Sequence, residues 1–134
     1  MESTYSQQRE AIEHTLHQIS NGILQLKQWT DGVSIKFLPA TPPGAQDLAG
    51  DVMLLQAICE GVKQIQKRTS KLLPLRPEIP WRHIMSMRDR IAHGYFEIDI
   101  DYVEDIISND LDPLLDAINT LCQLLPTLSD DELF

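Results

Sequence analysis

The 134-residue chain has no apolar run approaching the roughly 18 residues of a membrane span, so no transmembrane helix is expected. The opening residues, Met1-Glu2-Ser3-Thr4-Tyr5, lack the basic and apolar regions of a signal peptide. Cysteine is scarce: Cys59 and Cys122 lie far apart, which fits neither a zinc pattern nor a disulfide framework. A reduced, cytoplasmic chain is therefore the expectation. No stretch reads as Walker A, GxGxxG, HExxH or GxSxG, so the enzyme classes that those motifs mark lose their usual flag. Basic residues are also short, 11 against 20 acids, and the net charge of −9 argues against a general nucleic-acid coat.

The shortage of positive charge is not uniform. Residues 1–62 hold seven acids and three bases, and residues 63–90 hold eight bases and two acids. Residues 91–134 hold eleven acids and no base. One basic segment therefore lies between two acidic ones. The length and the hydrophobic fraction of 43% suit one globular domain over residues 1–134.

Hydrophobic spacing predicts an all-α bundle of four or five helices. Ile12, Leu16, Ile19, Ile23 and Leu26 are spaced 4, 3, 4, 3, giving a first helix over about 6–29, closed by Thr30-Asp31-Gly32. Prolines 39, 42 and 43 make 33–46 a loop with a short turn near 34–38. A second helix follows over 46–69, with Lys63, Lys67, Arg68 and Lys71 complementing its C-terminal dipole. A third covers 80–93, opened by Pro80 and closed by Gly94. Residues 97–101 read as an extended link or the lead into the next helix. The fourth segment, 101–125, should kink or break near Asp110–Pro113. The tail from about 129 is expected to fray.

One stretch carries chemistry: Met87-Arg88-Asp89-Arg90-Ile91-Ala92-His93-Gly94-Tyr95. Arginine can fork onto phosphate oxygens, and histidine can move protons near neutral pH. With a tyrosine hydroxyl just past a glycine, these are the parts that cleave a phosphodiester without metal. A base takes the ribose 2′-OH proton, a cation holds the phosphorane, and an acid protonates the leaving oxygen. Positions five apart on one helix differ by about 140°, so a single ideal helix would not aim Arg88 and His93 at one point. Either the helix ends near Ala92, or a second copy completes the site across a two-fold interface. The spacing alone favours a structural reading, with His93 capping carbonyls, Arg88 paired to an acid such as Asp89 or Glu60, and Tyr95 in the core.

The stretch from Ile79-Pro80-Trp81 to Tyr95-Phe96 resembles the HepT-like branch of the HEPN superfamily, the toxins of HEPN/MNT toxin–antitoxin systems. That family typically shows Pro-Trp, then an Arg followed by a polar residue, then His-x-Tyr. Pro80-Trp81, Arg88, Asp89, His93 and Tyr95 stand at those positions. Ile58-Cys59-Glu60-Gly61 looks like its Gly-Glu-Ala element, and Val33–Phe37 like its short element after the first helix. Close similarity covers about 79–115. Asp89 stands where Asn is usual, and Cys59 and Gly61 flank Glu60 where Gly and Ala are commoner.

The resemblance implies a HEPN-type bundle that dimerises through the helices carrying Arg-x4-His. It implies a type VII toxin that is an endoribonuclease needing no metal or other cofactor. Arg88 would hold the scissile phosphate and His93 would do acid–base work, with Asp89 and Glu60 supporting. Tyr95 would receive AMP from a cognate MNT nucleotidyltransferase antitoxin. RNA, that antitoxin and a second copy of the chain are the implied partners. The alternative is an inactive HEPN module serving as the binding partner of a nucleotidyltransferase. Outside the motif, His14 and His17 lack a third ligand nearby, so no metal is expected there. His83 could face either a cleft or solvent. Glu60 is expected to pair with Arg88 or Arg90, Trp29 and Trp81 to anchor a core or interface, and Met85 and Met87 to pack.

Overall fold

A computed structural model describes residues 2–93 and 97–134. Among them the chain forms α-helices and short 3-10 turns, with no strand ladder. Helix α1 (Glu2–Thr30) buries the expected stripe, Ile12, Leu16, Ile19, Ile23 and Leu26. The Thr30 hydroxyl donates to the Leu26 carbonyl at 2.8 Å, and Gly32 turns the chain at φ 68°, where a side chain would be strained.

A 3-10 turn (Ile35–Ala40) leads into α2 (Pro42–Arg68). That helix begins four residues before its expected start. Prolines 42 and 43 open it rather than precede it, because the first turn needs no N–H there, and the Thr41 hydroxyl accepts from Gly44 N at 3.2 Å. Gly44 is required by packing: a Cβ would lie 2.1 Å from the Leu38 carbonyl oxygen of the turn.

The third helical segment divides. Helix α3 (Trp81–Ser86) and helix α4 (Arg88–Ile91) meet at Met87, which is buried with its Sδ 3.9 Å from Cys59 Sγ. Ala92 is already extended, at φ −158° and ψ 140°. The helix therefore stops two residues earlier than expected, and Gly94, its expected closing residue, lies outside the described residues. Ala92 and Ile98 form an isolated antiparallel bridge, with His93 N donating to Glu97 O at 3.0 Å and Asp99 N to Ile91 O at 2.9 Å. The Asp99 carboxylate then caps α5 (Ile100–Asn109) by accepting from Tyr102 N at 3.1 Å.

The expected break after α5 falls at Asp110, and α6 (Leu111–Leu124) follows. Pro113 sits in the first turn of α6, where its missing N–H has no partner to lose. Taking α3 with α4, and α5 with α6, recovers the four expected segments. The fifth is α7 (Asp130–Leu133), and here the expectation of a frayed tail is corrected. Ser129 and Glu132 form a reciprocal capping box, and Leu133 is fully buried. The Thr69 hydroxyl donates to the Leu133 carbonyl, and Arg9 Nε reaches Asp130 at 2.9 Å. The signal missed was the Ser129-x-x-Glu132 pattern itself.

Helices α1 and α2 pack along each other, with α6 against α1. Trp81 joins the core, its indole N–H donating to the Arg76 carbonyl at 3.0 Å. Trp29, by contrast, is 49% exposed and is no core anchor. No helix among the described residues is long and apolar enough to cross a membrane.

Candidate active site

Helix α2 presents its buried stripe to α1 and leaves another face outward. Ala49, Gly50, Met53, Gln56 and Lys63 recur along that face at helical spacing and form one wall of a cleft of about 1080 Å³. The opposite wall comes from α3 and α4, where Arg82, Met85, Ser86 and Asp89 form a stripe with Arg88 beside it. His93 and Ile98 close one end from the extended segment. The helix stop at Ile91 is what allows this: Arg88 and His93 line the same cleft because His93 no longer follows the helical rotation. Arg88, Asp89 and His93 are all exposed. Tyr95, expected beside them, lies outside the described residues.

Glu60 does not meet its expected arginine partners among the described residues. It accepts from Gln64 Nε2 at 3.0 Å within α2 and lies outside the residues lining the cleft. Arg90 instead lies over the ring of Tyr102, 4.2 Å from its centroid. The Tyr102 hydroxyl is 3.1 Å from His83 Nε2, so His83 faces α5 and not the cleft. Burial pushes the Tyr102 phenol pKa up, with Arg90 opposing. Nothing in the spacing marked Tyr102. Met85 is half-buried at the cleft, and Met87 is core.

The charge pattern of the sequence becomes a division in space. All three bases of residues 1–62 reach acids of the C-terminal stretch. Arg9 pairs with Asp130, Lys27 with Asp112, and Lys36 with Asp101 and Glu104. Of the eight bases in residues 63–90, Arg76 alone makes such pairs among the described residues, at 3.0 Å to Glu78 and Asp116. Lys63, Arg82 and Arg88 thus face the cleft without a carboxylate partner among the described residues. Lys63 also lies too early in α2 to serve its C-terminal dipole; Lys67 and Arg68 occupy the last turn. Sequence reasoning had given Lys63 to that dipole and gave Arg82 no role, so it missed both as cleft-lining residues.

Two buried groups near the cleft have shifted ionisation. Burial pushes the Cys59 thiol up to about 12, which keeps it neutral and unreactive. Asp51, 3% exposed, is raised to about 6, first by burial and then by the neighbouring charge of Asp47. Its folded state therefore holds the proton more tightly than the unfolded chain does. Stability should fall as pH rises from the ordinary aspartate range, 3.8, to about 6, and stay lowered above it. Asp51→Asn should be more stable than wild type above that window, by on the order of 1–3 kcal/mol, and so unfold at a higher temperature. Below the window the two should coincide. A thermal-unfolding series across pH checks this, and a gap that closes with rising pH would contradict it.

Residues 47–121 match the family model described as ribonuclease HepT-like. The chain is also 33% identical over 63 residues to a protein of Thermococcus cleftensis named "Probable ribonuclease HepT". That alignment covers 47% of this chain and 54% of the relative, so the chain spans about half the length of the relative it matches. No solved structure matches. The residues that line the cleft, from Ala49 to Ile98, all fall inside the matched family region.

Proposed function

We propose, from the premise that the chain belongs to the HepT-like ribonuclease family, that it cleaves RNA at the Arg88–His93 cleft. The observation that carries this reading is that Arg88 and His93 line one cleft although one ideal helix would hold them apart. His93 removes the proton of a ribose 2′-OH, and that oxygen attacks the adjacent phosphorus. The P–O bond to the next nucleotide breaks, and a protonated group delivers the proton to the leaving oxygen. The Arg88 guanidinium holds the phosphate oxygens as negative charge develops on them. Asp89, beside Arg88 in the same cleft, orients it. No step calls on a metal ion.

The working form is a homodimer in which a second copy brings a second His93, so that one acts as base and the other as acid. The biological role is that of the toxin in a cytoplasmic toxin–antitoxin pair. The antitoxin is a nucleotidyltransferase that transfers AMP to Tyr95. Each AMP adds a bulky group and a negative charge two residues from His93, which both blocks and repels an incoming RNA phosphate.

Incubating the purified chain with its nucleotidyltransferase and ATP should add mass in AMP units and abolish cleavage. Tyr95→Phe should gain no AMP and keep cutting in the presence of the partner. Modification of an unaltered chain that leaves RNA intact throughout would favour a non-catalytic module of the transferase instead.

A further inference from the structure

The Arg88–His93 chemistry uses one part of a longer cleft. Along α2 the lining runs from Ala49 to Lys63, about 20 Å at 1.5 Å per residue. That length exceeds the spacing of neighbouring phosphates on one strand, about 3.4 Å along a stacked helix and more when extended.

The alignment of the walls locates the remaining cations. Met87 of the α3–α4 junction touches Cys59, and further back Arg82 and Trp81 share a smaller hollow with Gln66. Helix α3 therefore runs antiparallel to α2. Lys63, between Cys59 and Gln66, comes to the same end of the cleft as Arg82. His93 and Ile98 close the cleft from the segment beyond α4, away from that end. Lys63 and Arg82 are both exposed and lack a carboxylate partner among the described residues. The cleft's one described lining carboxylate, Asp89, lies seven residues beyond Arg82, about 10 Å along the helix axis. Two cations on facing walls, neither paired to a carboxylate among the described residues, suit a phosphate held between them.

We infer that Lys63 and Arg82 form a second phosphate site, which binds the backbone of a single RNA strand at a linkage flanking the one cleaved beside Arg88 and His93. The inference rests on the RNA-cleaving reading above and adds to it a substrate that extends beyond the two nucleotides at the cut.

The test compares two substrates in the unmodified full chain. One is a dinucleoside monophosphate, whose only phosphate is the scissile one; the other is a single-stranded RNA oligonucleotide. Lys63→Ala and Arg82→Ala should each raise KM for the oligonucleotide about tenfold or more, the effect of losing a charged hydrogen bond, with kcat little changed. The double variant should also lower the slope of log affinity against log salt by about 0.7, the value for one phosphate contact on a single strand. Cleavage of the dinucleoside monophosphate should stay at the wild-type level. Variants that match wild type on both substrates would overturn the second site and leave the Arg88–His93 reading standing. Equal losses on both substrates would overturn it too, since the residues would then serve the scissile phosphate or the fold. If wild type and His93→Ala are equally inert on both substrates, the catalytic reading falls and takes this inference with it.

Discussion

Replacing His93 with alanine should slow RNA cleavage about 10²–10⁴-fold, the usual contribution of a positioned proton-transfer group. Binding of an RNA that carries a 2′-deoxyribose at the cut position should survive, because His93 acts on the proton and not on the phosphate charge. Arg88→Ala should slow cleavage by about 10²–10³-fold, as when a transition-state donor is removed, and weaken binding as well. Arg88→Lys should restore binding more than rate, because an ammonium is a point charge and cannot fork onto two phosphate oxygens. Single-turnover cleavage and equilibrium binding on the same preparations separate the two effects. A His93→Ala protein that cuts as fast as wild type would remove His93 from the chemistry. The null effect would be informative, because His93 is exposed and its replacement leaves the core untouched.

The second large effect concerns stability. Leu133→Ala should lower unfolding free energy by about 2–5 kcal/mol, the range for truncating a fully buried leucine. Leu133 is the next-to-last residue, and a substitution in a frayed tail would change stability by no more than about 0.5 kcal/mol. The structure predicts the larger figure because Leu133 has no exposed surface and its carbonyl is held by Thr69. Arg9 adds bonds to the Leu125 and Leu128 carbonyls on the approach to the tail. Urea unfolding of the two proteins distinguishes the alternatives, and a near-zero difference would mean that the tail does not hold its place in solution.

Much of the fold was legible because the buried faces of α1, α2 and α6 are long. Ile12 through Leu26 and Leu48 through Ile65 repeat at helical spacing over several turns, so no single deviation could disturb the reading. Boundaries were legible only where one signal acted alone. Pro42 and Pro43 were read as loop residues, although proline both ends and opens helices, and the choice was made by Thr41 and the Leu38 carbonyl pressed against Gly44. Asp110 could be anticipated because Pro113 must lie near a helix start.

The candidate site was legible in its residue types and not in its walls. Arg88 and His93 stand out by residue type, and their family pattern narrows their role. Lys63 and Arg82 stand out only once α2 and α3 are known to run antiparallel, a tertiary fact. Glu60 shows the opposite failure. Its place in the middle of a helix suggested an arginine partner, but a glutamine one turn along the same helix takes its carboxylate. Tyr102, which touches both Arg90 and His83, is an ordinary helical residue until those contacts are seen.

The junction at Met87 also bears on how such a chain can vary in length. Its backbone stays near helical, at φ −65° and ψ −27°, so the lining stripe of Arg82, Met85, Ser86 and Asp89 passes through it almost in phase. One inserted residue between Trp81 and Met87 would rotate everything on one side by about 100° relative to the other. Either Met87 would leave its place beside Cys59, or Trp81 would leave the core. Point substitutions on the exposed side could accumulate one at a time, whereas an insertion or deletion would disrupt the α3–α4 wall and its core anchor at once. The count of residues from Trp81 to Arg88 is therefore under tighter constraint than the identities of most residues between them.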